Sequence, residues 1–168
     1  MAEGKRRNRG RRTETRRAER KVDLSSLWTI AGFNLRMLDL RMMKSYSERI
    51  AETGLTPAAA TVVLVVDGNP GVSLGKLADA LLVKRPNMTK LAKRLESRGL
   101  IRRRAASHDK RSISVILTPA GQRQAKRLRT LQDVQDSFAL AALSHAERFQ
   151  LMMLIARILE TLDAEDRV

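Results

Sequence analysis

The sequence predicts a mainly α chain with a small β-wing, in which a helix-turn-helix and a two-stranded hairpin stand between longer N- and C-terminal helices. Three patterns predict it. Apolar residues recur at helical spacing over 24–51 and again beyond Thr118. Two short helical patterns stand back to back at 74–82 and 85–98. Residues 100–105 and 112–117 then bracket a polar tip, and the second run alternates Ile113, Val115 and Leu117 with Ser112, Ser114 and Ile116, as a half-buried strand does.

Taken in order, residues 1–21 are a basic arm. After Met1 they hold nothing larger than alanine among the apolar types, so they cannot bury enough surface to offset ordering entropy, and a disordered arm is expected. From Leu24 two adjacent apolar stripes run along one helix: Leu24, Leu27, Ala31, Leu35, Leu38 and Met42, then Ile30, Phe33, Met37 and Leu40. A face this wide predicts burial on two sides, one against the chain's own core and the other against a second copy. Thr56-Pro57 is a cap with proline at the first helical position, and that helix stops at Asp67-Gly68-Asn69-Pro70-Gly71. Ser73 caps the next, with Leu74, Leu77, Ala78 and Leu81 inward, and Gly99 takes the left-handed position that ends the helix of 85–98. Thr118-Pro119 opens a long helix, and Ser144-x-x-Glu147 is a capping box for a last helix through Leu162.

Charge narrows the function. The net charge is +15 and is localised: residues 1–21 carry +7, residues 84–111 carry +9, and the remainder is nearly neutral. Such a field is the footprint of a polyanion binder. With no cysteine, thiol catalysis, disulfides and thiolate metal sites are excluded, and neither a metal nor a cofactor is expected. Only His108 and His145 are imidazoles; Ser144, His145 and Glu147 lie together at a helix start, where nucleophile and base cannot adopt triad geometry, so no catalytic residue is assigned and an enzyme is not expected. No apolar run approaches the ~20 residues of a membrane span, so no membrane partner is expected, and a cytoplasmic location is.

On the helix of 85–98, Met88, Leu91, Ala92 and Leu95 point inward, leaving Arg85, Asn87, Thr89, Lys90, Lys93 and Arg94 outward. These are the side chains that read a major groove: Arg and Lys on guanine, Asn on adenine, Thr on a thymine methyl. Arg102, Arg103 and Arg104 on the following strand, with Lys110 and Arg111 at the tip, make a wing for phosphates or the minor groove.

Residues 73–121 resemble the winged helix-turn-helix of the MarR/SlyA family of bacterial transcription regulators. The resemblance is carried by Leu77, Ala78 and Leu81 of the support helix, the L-x-x-R-L-E-x-R-G-L-I run from Leu91 to Ile101, the Asp-Lys-Arg-Ser wing tip and the closing L-T-P-A-G. It implies a winged helix-turn-helix plus N- and C-terminal dimerisation helices, hence a homodimer straddling a pseudo-palindromic operator in double-stranded DNA. It places Arg85, Pro86, Asn87, Thr89, Lys90 and Arg94 where the family touches bases and phosphates, and Asp109 and Arg111 on a wing-tip pair whose arginine enters the minor groove. Lys84 and Pro86 depart from the family, which favours an acidic or small cap and a hydroxyl donor there.

The expected domains are 1–21 as the arm, 22–55 as an N-terminal dimerisation helix, 56–118 as the DNA-binding domain and 119–168 as C-terminal dimerisation helices. The expected function is a ligand-responsive transcriptional repressor; the alternative is a non-specific architectural DNA- or RNA-binding protein, for which the arm is the argument. By the resemblance, a small-molecule effector enters between the dimerisation helices and the winged domain, near Trp28, Phe33, Arg36, Met37, Met43 and Tyr46. With Arg36, Arg41 and Lys44 beside flat apolar groups, an anionic aromatic acid or its acyl-CoA thioester is the expected class.

Overall fold

The computed structural model of the 168-residue chain describes residues 22–105 and 113–165. The arm and the wing tip, with Asp109, Lys110 and Arg111, lie outside the described residues. The elements are α1 (Ala31–Ile50), α2 (Pro57–Gly68), β1 (Val72–Ser73), α3 (Leu74–Ala80), α4 (Arg85–Ser97), β2 (Ile101–Ala105), β3 (Ile113–Leu117), α5 (Pro119–Ala139) and α6 (His145–Glu165). Single 3-10 turns stand at Ser25–Leu27 and Ala51–Thr53.

The described chain forms two compact units that divide inside α1, after Arg36. In the first, Trp28 and Phe33 meet edge to face with ring centroids 5.4 Å apart, and Asn34 Nδ2 donates to the carbonyls of Trp28 (2.8 Å) and Ile30 (3.1 Å), closing the turn onto the helix.

The second unit is built around α2. Its sequence is apolar on nearly every side, and Ala59, Ala60, Val62, Val63 and Val66 are all buried, packed against α5 and β3. The small alanines let Ala125 and Leu128 of α5 approach closely, while Leu77, Met88, Leu95 and Ile101 complete one continuous core. Thr56 caps α2, its Oγ1 accepting from Ala59 N at 3.3 Å, with Pro57 at the first position.

The antiparallel sheet has the order β1-β3-β2, with Ile101 opposite Leu117 and Arg103 opposite Val115. The wing therefore has a third strand that the sequence pattern did not reveal: two residues, Val72 and Ser73, pair with Val115 and Ser114 before Ser73 caps α3. Along β3 only Val115 is fully buried, and Ile113, at the end farthest from the helices, is exposed.

Both helices of the helix-turn-helix end in the same way. After α4, Gly99 N donates to Glu96 O (2.8 Å) and Leu100 N to Leu95 O (3.0 Å), with Gly99 at φ 68°. After α3, Leu82 N donates to Asp79 O (3.2 Å) and Val83 N to Ala78 O (2.9 Å), with Leu82 at φ 52°. This paired closure requires one left-handed residue, normally glycine. A residue with a β-carbon in that region costs roughly 1–2 kcal/mol. The chain accepts that cost at Leu82, whose side chain is 92% exposed.

The corner into α5 is tightly tied. Thr118 Oγ1 donates to Gly99 O (2.6 Å) and accepts from Gly121 N (3.0 Å), while Thr118 N donates to Leu100 O (3.0 Å). Gly121 lies so close to the chain entering β2 that a β-carbon there would sit 2.0 Å from Leu100 O.

Candidate nucleic-acid interface

The outward face of α4 is fixed by what its other face buries. Met88, Ala92 and Leu95 are buried, Leu91 is half-buried, and the helix can present only the opposite side. Asn87, Lys90, Lys93 and Arg94 are exposed there, as the periodicity predicts, and so is Pro86. Thr89 is half-buried on the flank, and its hydroxyl donates to Arg85 O at 3.0 Å, leaving a lone pair and a methyl to present outward. Arg85 leans back on Asp79 of α3, its Nη2 3.3 Å from Oδ2, in an exposed pair that water and salt readily loosen. Lys84, at the N-cap, has no oxygen with which to cap, so α4 begins without a side-chain cap and with Pro86 in its first turn.

Arg103 is placed differently from the other wing arginines. Its Nε donates to Glu96 Oε2 at 2.6 Å, its Nη2 pairs with the same oxygen, and its backbone N donates to Glu96 Oε1 at 3.2 Å. Both side chains are largely covered, so Arg103 ties the wing to α4 while Arg102 and Arg104 point to solvent. These bonds hold the Glu96 carboxyl below the ordinary glutamate range. Arg98 is likewise occupied, donating to Gly54 O (2.5 Å) and Thr53 O (3.0 Å) and pinning the end of α4 to the turn before α2. Glu96 and Arg98 were missed as site-shaping residues because pairings across elements leave no mark in local spacing.

A cavity of about 370 Å³ lies elsewhere in the second unit, lined by Met42, Met43 and Tyr46 of α1, Thr61, Leu64 and Val65 of α2, and Gln132 and Gln135 of α5. Of the expected effector residues it contains Met43 and Tyr46; Trp28 and Phe33 pack on each other in the first unit, and Arg36 and Met37 do not line it. No cationic side chain is among its lining residues. Burial, and then the charge of Asp136, push the Tyr46 phenol above its ordinary range, so it remains a neutral hydrogen-bond donor. Gln135, only 2% exposed, accepts from Ser45 Oγ (3.1 Å) and Arg49 Nε (3.0 Å), which fixes its amide at the cavity wall. A second groove of about 320 Å³, between the start of α2 and α4, includes Thr56, Leu91, Arg94 and Arg98 in its wall.

The MarR family profile matches residues 53–112, the stretch from the turn before α2 to the wing. A putative transcriptional regulatory protein for the hcr operon of Thauera aromatica is 34% identical over 128 residues, covering 76% of this chain and 77% of the relative. The chain belongs to the MarR family of transcriptional regulators. Among solved structures, the transcriptional repressor CouR bound to a 23-mer DNA duplex superposes with a TM-score of 0.76 at 28% identity, over 83% of this chain and 99% of that one. A probable transcriptional regulator from Pseudomonas aeruginosa gives 0.68 at 28% identity, over 79% and 98%. The mainly helical fold with a three-stranded wing is thus the MarR winged helix, and the protein is a DNA-binding transcriptional regulator.

Proposed function

We propose that this regulator is a repressor that binds a pseudo-palindromic duplex as a homodimer and is released by an aromatic acyl ligand. The observation that carries the DNA reading is the outward face of α4, where Asn87, Lys90, Lys93 and Arg94 stand exposed with no protein partner among the described residues. Residues 56–118 do the reading in this proposal, with Pro86, Thr89 and Arg85 at the groove edge. The wing tip adds Asp109, Lys110 and Arg111, and Arg103 acts by holding the wing in place. Repression is supported by the likeness to CouR, a transcriptional repressor. A cytoplasmic location goes with this reading.

The dimer is supported by α6, in which none of the described residues is buried and Phe149, Met152, Leu159 and Leu162, on one side of the helix, are each more than half exposed. A face of that composition stays in solution only if another apolar surface covers it.

For the effector, the Tyr46 cavity is of ligand size and apolar, with neutral amide and hydroxyl groups at its edges. A free carboxylate placed there would lose hydration with no cation in the wall to compensate. An aromatic ring whose acid is masked as a thioester fits better, its anionic coenzyme A portion staying in water. The experiment is a binding titration, at fixed salt, of a duplex selected by the protein from a random pool against random duplex, repeated with benzoyl-CoA and with benzoate. A large preference, reduced by the thioester and not by the acid, supports the proposal. A ratio near one makes the protein a non-specific binder, and equal effects of acid and thioester overturn the thioester assignment.

A further inference from the structure

We infer that Leu82 is a specificity residue that packs on a thymine methyl when the helix-turn-helix meets DNA. The inference rests on α4 being the groove-reading helix.

The two ends of α3 and α4 supply an internal comparison. Each closes with the same pair of backbone hydrogen bonds and each needs one left-handed residue, and the chain uses glycine at Gly99 but leucine at Leu82. Neither packing nor backbone geometry accounts for the leucine. Its side chain is 92% exposed, more than any other large apolar side chain among the described residues, so it contributes nothing to the core. The Val83 and Leu81 side chains on either side are half-buried and already supply the apolar seat of the turn. A glycine would relieve the backbone and remove the exposed hydrocarbon together, so the free protein gains nothing from Leu82.

The position of the turn identifies what covers it. In a helix-turn-helix the first helix crosses the sugar–phosphate backbone and the N-terminal residues of the second contact base edges, so the joint between them passes from backbone to groove. Leu82 is in that joint, two residues before Lys84 and three before Arg85, where the outward basic face begins. The one strongly apolar group that the major groove offers is the C5 methyl of thymine. Leu82 thus supplies an apolar contact at the edge of a face whose other members are cationic or amide.

The test uses the full-length chain and its Leu82→Gly and Leu82→Asn variants, since asparagine also tolerates the left-handed region. Duplexes are selected from a random pool by each protein, and affinities are measured across a salt series. Thermal unfolding confirms that the variants fold, with a Tm at or above that of the parent. The expected result is a loss of about tenfold or more on the duplex the parent selects, an unchanged salt slope because no phosphate contact is lost, and disappearance of one thymine preference per half-site. Replacing that thymine by uracil should weaken the parent and leave both variants unaffected. Unchanged affinity overturns the inference, as does weakened affinity with the thymine preference intact. Lys90→Ala separates the two levels: if it too leaves binding unchanged, the assignment of α4 has failed, whereas if it weakens binding and Leu82→Gly does not, only the inference about Leu82 has failed.

Discussion

Gly121→Ala should destabilise the protein, although alanine is the better helix former. In an open helix the exchange would stabilise by up to about 1 kcal/mol. At Gly121 the added β-carbon would lie 2.0 Å from Leu100 O, 3.0 Å from Leu100 C and 3.3 Å from Leu117 Cβ, where 3.4 Å marks the start of ordinary contact. The nearest atom belongs to backbone, so no rotamer change relieves the clash, and the start of α5 must move away from β2. Overpacking of this kind costs about 1–3 kcal/mol, occasionally more. Against the propensity gain, a net loss of about 1 kcal/mol is expected, equivalent to a Tm lower by roughly 2–4 °C for a chain of this size. The control is Gly32→Ala in the first turn of α1, where nothing lies within 4 Å and a small gain is expected. Both are measured by thermal and urea unfolding at one protein concentration, because association would make Tm concentration-dependent. A Gly121→Ala protein as stable as the parent would refute the close approach of α5 to Leu100.

Glu96→Gln should loosen the wing, and the effect should depend on pH. Because the folded-state pKa of Glu96 is lowered, its contribution is present above the ordinary value of 4.5 and is lost as pH falls through the folded value. The urea midpoints of parent and variant should therefore differ at neutral pH and converge in acid; a constant difference would show that the pair is not the cause. Lys90→Ala and Arg111→Ala should each weaken binding to a selected duplex by about 1–3 kcal/mol without lowering Tm, as read by fluorescence anisotropy at fixed salt. Leu159→Asp should shift the mass seen in sedimentation from dimer to monomer at micromolar concentration. A parent that already sediments as a monomer would end the dimer proposal.

Much of this architecture is legible in the sequence because local chemistry specifies it. Thr56-Pro57, Ser73, Thr118-Pro119 and Ser144-x-x-Glu147 announce helix starts, and each side chain makes its capping bond, reciprocally between Ser144 and Glu147. The faces of α4 follow from spacing alone, except that Leu91 is only half-buried because it borders a groove. What escaped was set by long-range approach. β1 is two residues long, too short to alternate, and exists because β3 passes beside it. Arg103 has the same local signature as Arg102 and Arg104, yet strand alternation turns it toward Glu96, seven residues back. Gln135 is a polar residue on an otherwise amphipathic helix, and its burial depends on Ser45 and Arg49, which approach from α1. The cavity beside Tyr46 likewise depends on α1, α2 and α5 meeting, and spacing within any one of them does not reveal it.

The single hydroxyl of Thr118 joins Gly99, just past the end of α4, to the first turn of α5, a helix of 21 residues and so roughly 30 Å long. With Leu100 O also held by Thr118 N and no room for even a methyl at Gly121, the corner has no slack. It is therefore placed where a lever would have its fulcrum. A shift of roughly 3 Å at the distal end of such a rod would correspond to a turn of about 6° at the corner, which the bonds from Thr118 to Gly99 and Leu100 would pass to the end of α4. Gln132 and Gln135 lie in the distal half of α5, so a molecule wedged against them would act at the long arm. Mechanical advantage of this kind would let a modest displacement at a neutral, apolar cavity change the pitch at which the basic face of α4 meets the groove, with no charge moved near the DNA.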